Sequence, residues 1–196
     1  MAKATLGVDD GRAVIVSFWG SLGAAVMNRQ MAEFLALEAG DGVPFHHIHG
    51  AGTVGCRQMG TYLAQAGADL EKAPGLEVRE YIHDMGTLMR AADLVICRAG
   101  ASTISELTAL GVPAIIVPSP NVAGDHQTYN ARVLADAGGA VMIPEKDSSG
   151  RLLYDTARAI LTDDSRRRAM AQAMASLGTV DAAEKIYAAV MALRRR

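Results

Sequence analysis

Short apolar runs alternate with longer amphipathic stretches along the 196-residue chain. The apolar runs predict six β-strands, two of which (94–97 and 114–117) are continuously apolar, as is typical of central parallel strands buried on both faces. The six predicted strands cover residues 13–18, 45–49, 76–82, 94–97, 114–117 and 140–143.

Apolar residues at helical spacing predict helices between these strands and after the last one. The predicted helices cover residues 24–38, 58–66, 85–92, 103–110, 125–136, 150–161, 164–174 and 180–193. Strands separated by helices indicate a parallel sheet with right-handed crossovers and helices on both faces. We therefore expect an α/β fold with one Rossmann-like domain over residues 13–196. The charged, glycine-containing residues 1–12 are expected to be a linker or an added leading segment.

Composition narrows the class of protein. Half of the residues are hydrophobic, which excludes disorder as the dominant state. Nineteen Lys and Arg residues against 21 Asp and Glu residues give a net charge of −2, so the chain has no overall attraction for nucleic acid. The sequence contains two cysteines and neither a signal peptide nor an apolar run of membrane-spanning length. A cytoplasmic globular domain is the expectation.

Three loops at the carboxyl ends of predicted strands have the composition of a ligand site. Parallel sheets bind ligands at this edge, where loops meet helix N-termini. The first loop, Gly20-Ser21-Leu22-Gly23, could let a phosphate approach the backbone, although glycine there could equally serve the turn alone. The third loop, 118–130, brings Asp, His, Gln and Asn together near a helix start, an array suited to sugar hydroxyls.

The second loop, 98–106, follows a buried strand and enters a helix through small and hydroxylated residues. Two interpretations of Glu106 stay open from the residues alone. Thr103 and Glu106 fit a capping box, in which the glutamate bonds a backbone N–H at the helix start. Alternatively, Glu106 accepts both hydroxyls of a ribose, as acidic residues do in nucleotide-binding folds.

Three segments together resemble the MurG family of bacterial N-acetylglucosaminyltransferases. They are Gly20–Gly23, the run Arg98-Ala-Gly-Ala-Ser-Thr-Ile-Ser-Glu106 and the run Gly124-Asp-His-Gln-Thr-Tyr-Asn130. The resemblance extends over nearly the whole chain but covers only the carboxyl-terminal half of that family, the donor domain of a GT-B fold. It implies that the amino-terminal acceptor domain is absent. Trp19 departs from the family pattern, which has glycine before Gly20.

The resemblance assigns roles to nine donor-binding residues. Glu106 would bind the ribose of UDP, and Ile82 would contact the uracil edge through its backbone. Ser21 and the backbone where the second loop enters its helix, at residues 101–103, would hold the uridine and diphosphate, and three polar residues of the third loop would bind the sugar. The remaining residues of this set are Ala101, Ser102, Thr103, His126, Gln127 and Asn130. His126 stands where the family often has an amide.

The resemblance further implies metal-independent transfer of GlcNAc from UDP-N-acetylglucosamine to a lipid-linked peptidoglycan precursor, with no cofactor. The full-length enzyme would be peripheral on the cytoplasmic face of the inner membrane. The isolated chain, with no catalytic residue of its own, is expected to bind the donor without catalysing transfer. One alternative is a stand-alone nucleotide-sugar-binding subunit of a two-subunit transferase. A more distant one is a hydrolysing epimerase of the same fold.

Several other features favour ordinary interpretations over chemical ones. Of the histidines in Phe45-His46-His47-Ile48-His49, only His47 and His49 share a strand face, and no third metal ligand is evident. Cys97 ends an apolar strand and is expected to be a small buried hydrophobe. The arginines at 166–168 and 194–196 are expected to be solvated, although they could contact anionic lipid.

Overall fold

A computed structural model describes residues 2–8, 10–20 and 23–194. Of Arg194 it describes only the backbone. Its strands are β1 (Ala13–Phe18), β2 (Phe45–Gly50), β3 (Leu76–Arg79), β4 (Leu94–Cys97), β5 (Ala114–Ile116) and β6 (Ala140–Met142). Its helices are α1 (Ala2–Thr5), α2 (Ala25–Gly40), α3 (Thr53–Ala66), α4 (Met85–Ala91), α5 (Ala101–Leu110), α6 (His126–Asp136), α7 (Gly150–Leu161), α8 (Asp164–Ser176) and α9 (Ala182–Arg194). Single 3₁₀ turns lie at Leu70–Lys72, Ala123–Asp125 and Glu145–Asp147.

The six strands form one parallel sheet in the order β3-β2-β1-β4-β5-β6. Alternate residues of the central strands enter two separate hydrophobic clusters: Ile15 belongs to one, and Val14 and Val16 to the other. Both faces of the sheet are therefore covered, which explains the continuous apolar runs. The predicted α/β fold with a Rossmann-like sheet is confirmed.

The start of the chain packs against this sheet. Lys3 in α1 forms an ion pair with Asp93, which also accepts a hydrogen bond from the Val14 N–H at 2.8 Å. Arg167 of α8 pairs with the same carboxylate. Asp93 thus links the segment before the sheet, β1 and α8. None of the helices in the described ranges is long and apolar enough to cross a bilayer.

Two predicted boundaries differ from the structure in a way that concerns the ligand edge. The predicted strand 76–82 ends at Arg79, because the chain turns there and Asp84 caps α4 by accepting the Thr87 N–H at 3.2 Å. The predicted helix 58–66 begins at Thr53 instead. Gly55 lies inside this helix, where a Cβ atom would come within 1.9 Å of the Asn28 amide nitrogen. This glycine permits close packing and does not mark a turn.

The contact of α2 with α7 gives a test of the packing. A Cβ atom on Gly150 would lie 2.4 Å from the Gln30 carbonyl oxygen and 2.5 Å from the Glu33 Cβ. Gly150→Ala must therefore push the two helices apart, and we expect it to lower the free energy of unfolding by about 1–3 kcal/mol. Urea denaturation of the purified chain measures this change.

Gly60→Ala is the matched control, because Gly60 is exposed within α3 and a Cβ atom added to it would meet no other atom within 4 Å. Better helix propensity should raise the free energy of unfolding there by roughly 0.5–1 kcal/mol. Equal effects of the two substitutions would contradict the close packing of α2 on α7.

Candidate nucleotide-sugar site

The loops that follow β1, β2, β4 and β5 meet at one edge of the sheet, because all the strands are parallel. Gly20 and Gly23 bound the first loop with φ angles of +89° and +74°, a backbone region that other residues rarely adopt. Ser21, predicted to bind the donor, lies outside the described residues. Two cavities open at this edge, and both are lined by Phe18 and Gly20.

The first cavity, of about 240 Å³, brings together two residues predicted from distant parts of the chain. Ile82 is buried in its wall, and its Cδ1 would touch a Cβ atom placed on Gly50 at 3.1 Å. Glu106 of α5 lines the same cavity with an exposed side chain, for which no hydrogen bond or ion pair to another described residue is found. Glu80 is a second acidic residue in the lining. Apolar walls from Phe18 and Met85 beside acidic side chains suit a flat base joined to a diol.

The second cavity, of about 350 Å³, lies at the N-terminus of α5. Ser102 and Thr103 line it, whereas Ala101 is the exposed first residue of the helix. Gly100 is the N-cap, and no side chain of the described residues caps the helix. The N–H groups of the first turn, together with the positive end of the helix dipole, therefore face the cavity.

The predicted capping box is wrong. The helix begins at Ala101, so Thr103 is its third residue and cannot be the N-cap. In a capping box the glutamate stands three residues after the N-cap and bonds the N–H of the N-cap. Because the N-cap is Gly100, Glu106 does not stand at that position. Between the two interpretations of Glu106, the local structure removes the helix-capping one.

Polar side chains at the start of α6 hold the neighbouring loops. The Gln127 Oε1 accepts hydrogen bonds from the Ala99 N–H at 3.2 Å and from the Ser119 N–H at 2.9 Å. The Asn130 Nδ2 donates to the Ala99 carbonyl at 3.2 Å. His126 is exposed, with its Nδ1 2.9 Å from the Ala123 carbonyl. Gln127 lines the second cavity, but Asn130 and His126 are not among its lining residues.

These bonds leave specific atoms for a ligand. The Nε2 of Gln127 and the Oδ1 of Asn130 have no hydrogen-bond partner among the residues that the structure describes. Gln127 can therefore offer two N–H donors, while Asn130 can offer an acceptor. The sequence pattern indicated the amides but not which of their atoms remain available.

Arg98 stabilises the wall of the second cavity. Its Nη1 donates to the carbonyls of Val117 and Pro118 at 3.1 and 3.2 Å, and its Nη2 pairs with Glu145. The guanidinium also lies 5.9 Å from the centre of the Trp19 ring. Trp19, which departs from the family's glycine, is buried in this wall with 5% of its surface exposed. It is therefore a structural part of the cavity.

The histidines of β2 are occupied by hydrogen bonds. Ser17 Oγ of β1 lies 2.8 Å from both the His47 Nε2 and the His49 Nδ1. The Glu38 Oε2 of α2 lies 2.7 Å from the His47 Nδ1. His46 contacts Asp10 at 3.0 Å instead. In the described ranges no group of three or more His, Cys, Asp or Glu residues is arranged to hold a metal ion.

This line of side chains continues to the ligand edge. The His49 Nε2 lies 3.2 Å from the Asn28 Oδ1, and the Asn28 Nδ2 donates to the Ala51 carbonyl at 2.8 Å. We call Glu38, His47, Ser17, His49 and Asn28 the buried polar chain; all five are wholly buried. Sequence reasoning missed Asn28, Ser17 and Glu38. The signal was the position of Asn28 and Glu38 on the apolar face of α2, where a polar residue needs a buried partner.

Cys97 is buried at the end of β4, as predicted. Burial raises the pKa of its thiol to about 12, so the thiolate form is negligible near neutral pH. Cys97 therefore packs as a small hydrophobe and supplies no nucleophile to the adjacent site.

Comparison with known proteins identifies the family of the chain. The sequence model for the glycosyltransferase family 28 C-terminal domain matches residues 14–186. A transferase from Desulforudis audaxviator, named UDP-N-acetylglucosamine–N-acetylmuramyl-(pentapeptide) pyrophosphoryl-undecaprenol N-acetylglucosamine transferase, is 42% identical over 187 residues, which are 94% of this chain and 49% of that protein. A protein of the same name from Salinibacter ruber is 44% identical over 201 residues, covering 100% of this chain and 50% of its own length.

The crystal structure of Acinetobacter baumannii MurG superposes with a TM-score of 0.77 at 29% identity, over 91% of this chain and 51% of that one. The chain thus spans about half the length of the curated relatives it matches. The chain belongs to the glycosyltransferase family 28 C-terminal domain family.

Proposed function

We propose that this chain is the donor-binding half of an enzyme that transfers GlcNAc from UDP-N-acetylglucosamine to a lipid-linked peptidoglycan precursor. The observation that carries the proposal is the pair of adjoining cavities, one lined by Glu106 and Ile82 and the other by the start of α5 and Gln127. The names of the relatives support the donor and the acceptor. Because such an acceptor is embedded in lipid, we also propose that the whole enzyme works as a peripheral protein at the cytoplasmic face of the membrane.

The donor would lie across both cavities. The uracil enters the apolar cavity, where the backbone around Ile82 contacts its edge, and the ribose hydroxyls reach the Glu106 carboxylate. The diphosphate then meets the first turn of α5, where N–H groups and the helix dipole favour negative charge, and lies beside the loop bounded by Gly20 and Gly23. The backbone of Ala101, Ser102 and Thr103, together with Ser21, would supply these contacts.

The sugar would lie next to α6. There the Gln127 Nε2 donates to one hydroxyl and the Asn130 Oδ1 accepts from another, because these are the atoms that the loops leave unused. His126 stands beside them as a further sugar contact. Transfer also needs an acceptor hydroxyl and a base within hydrogen-bond reach of it. None of the nine proposed residues has that role, so this half orients the donor.

Glu106 gives the sharpest test of the ribose assignment. Glu106→Gln keeps the size of the side chain and one acceptor oxygen but removes the charge, and charge-assisted bonds contribute roughly 1.5–3 kcal/mol. We expect UDP binding to weaken at least about tenfold, equivalent to about 1.4 kcal/mol. Since Glu106 caps no helix, the melting temperature of the ligand-free chain should change little. Calorimetric titration and a thermal melt on one preparation measure both quantities.

Glu71→Gln is the control, because it removes the same charge from an exposed side chain before β3, at the opposite edge of the sheet. UDP affinity should stay unchanged in that variant. Unchanged affinity in Glu106→Gln together with a clearly lowered melting temperature would instead give Glu106 a structural role.

Gln127 allows its two atoms to be tested separately. Gln127→Glu keeps an acceptor for the Ala99 and Ser119 N–H groups but loses the donor toward the sugar. We expect the free energy of unfolding to be retained, while the ratio of UDP-GlcNAc affinity to UDP affinity falls. Gln127→Leu removes both atoms and should also lower the free energy of unfolding by about 1–3 kcal/mol, because two N–H groups lose their partner. A leucine variant as stable as the wild type would contradict the loop-holding role.

Binding should not require a divalent cation. The first turn of α5 offers N–H groups and a positive dipole end to the diphosphate, which can replace a cation. We expect the UDP dissociation constant to be the same in EDTA and in added Mg²⁺, as measured by calorimetry. Loss of binding on chelation would show that this account of the diphosphate site is wrong.

A further inference from the structure

The hydrogen bonds of the buried polar chain have a fixed donor-to-acceptor direction, which is set by the Ala51 carbonyl at the ligand edge. The Ala51 carbonyl can only accept a hydrogen bond, so the Asn28 NH₂ group faces it and the Asn28 Oδ1 faces His49. The His49 Nε2 must then carry a hydrogen. Burial, assisted by the neighbouring His47, lowers the pKa of His49 to about 3, so its ring is neutral and its Nδ1 is a bare acceptor.

The same reasoning applies to the other end of the buried polar chain. Ser17 has one hydroxyl hydrogen, and it must go to the bare His49 Nδ1 at 2.8 Å. The Ser17 Oγ is then an acceptor for the His47 Nε2–H, also at 2.8 Å. One further proton between the His47 Nδ1 and the Glu38 Oε2 satisfies both atoms. Each hydrogen bond from the His47 Nε2 to the Asn28 Nδ2 is therefore donated in the direction of the Ala51 carbonyl.

This direction separates the cluster from a hydrolase triad. The order carboxylate, imidazole, hydroxyl in Glu38, His47 and Ser17 is the order found in such triads. Here the hydroxyl is wholly buried, so no substrate can reach it, and it donates its hydrogen bond to His49 and not to the His47 that Glu38 contacts. The role of the buried polar chain must therefore lie at its end beside Ala51.

That end is the place where two loops and a helix come closest together. A Cβ atom on Gly23 would lie 2.1 Å from the Ala51 carbonyl oxygen, and one on Gly55 would lie 1.9 Å from the Asn28 Nδ2. The loop after β1, the loop after β2 and the first turn of α3 therefore all pack on the hydrogen bond between Asn28 and Ala51. A change of this bond must shift at least one of them.

These loops form the floor of both proposed donor cavities. Gly50 and Gly52, on either side of Ala51, line the first cavity, and Gly23 lines the second. We propose that Asn28 is a positioning residue for the donor site: it fixes the Ala51 carbonyl and thereby sets the gap between the two glycine loops that the nucleotide must fit. This inference rests on the proposed function, because the ligand whose fit is measured is UDP.

Asn28→Asp and Asn28→Leu test the proposal in the full 196-residue chain. The aspartate keeps an acceptor for His49 but turns an oxygen toward the Ala51 carbonyl, and the leucine removes both hydrogen bonds. We expect each variant to bind UDP at least tenfold more weakly in calorimetric titrations, at a temperature where thermal melts show it folded.

Leu35→Ala is the matched control, since Leu35 is wholly buried in the same helix, about two turns beyond Asn28, and its apolar side chain makes no hydrogen bond to either loop. It should lower the melting temperature while leaving UDP affinity within twofold. An equal loss of UDP affinity in Leu35→Ala would reduce the Asn28 effect to general destabilisation and overturn the proposal.

A measurement on the wild type keeps the proposal testable if a variant fails to fold. Long-range ¹H–¹⁵N spectra should show His49 protonated at Nε2 and bare at Nδ1. The opposite tautomer would turn the Asn28 amide over, break its bond to Ala51 and overturn the proposal.

The proposed function and the positioning role of Asn28 fail differently. If the wild type does not bind UDP, the proposed function is wrong and the role of Asn28 at a donor site is wrong with it. If the wild type binds UDP and both Asn28 variants bind it equally well, only the positioning role is overturned.

Discussion

Loops built from glycine and small residues need partners for their backbone groups, and here the partners are side chains of neighbouring elements. Asn28 holds the Ala51 carbonyl, Gln127 and Asn130 hold both polar groups of Ala99, and Arg98 holds two carbonyls after β5. Buried N–H and C=O groups left unpaired would cost about 1–3 kcal/mol each. The bonds that stabilise the sheet edge are therefore also the bonds that keep its cavities open.

The sheet could be predicted from sequence because its central strands leave an unambiguous pattern. Buried on both faces, β4 and β5 appear as continuous apolar runs, and the glycine-containing segments after β1 and β4 mark the ligand edge. The first residues of the helices were harder to predict. The glycine at 55 fits inside α3 because of its contact with Asn28, and the start of α5 lies at Ala101 without a side-chain cap. Both depend on tertiary contacts that local patterns do not contain.

The site itself could be predicted only in part. The family resemblance selected Glu106 and Ile82, and the structure brings them to one cavity although 24 positions separate them. It could not indicate which atoms of Gln127 and Asn130 are already bonded, because that depends on the distance between loops. Nor could it reveal Asn28: a polar residue on an apolar helix face implies a partner, but the partners on β1 and β2 follow only from strand register, which sets Ser17 beside His49.

The anchoring of Gln127 at both Ala99 and Ser119 affects the entropy of ligand binding. Immobilising a flexible side chain at an interface costs about 0.5–1.5 kcal/mol when it happens on binding. With its oxygen fixed in the apo fold, the amide has lost that rotational freedom before any ligand arrives. Its NH₂ group is thus preorganised, so the proposed bond to a sugar hydroxyl would require no conformational search.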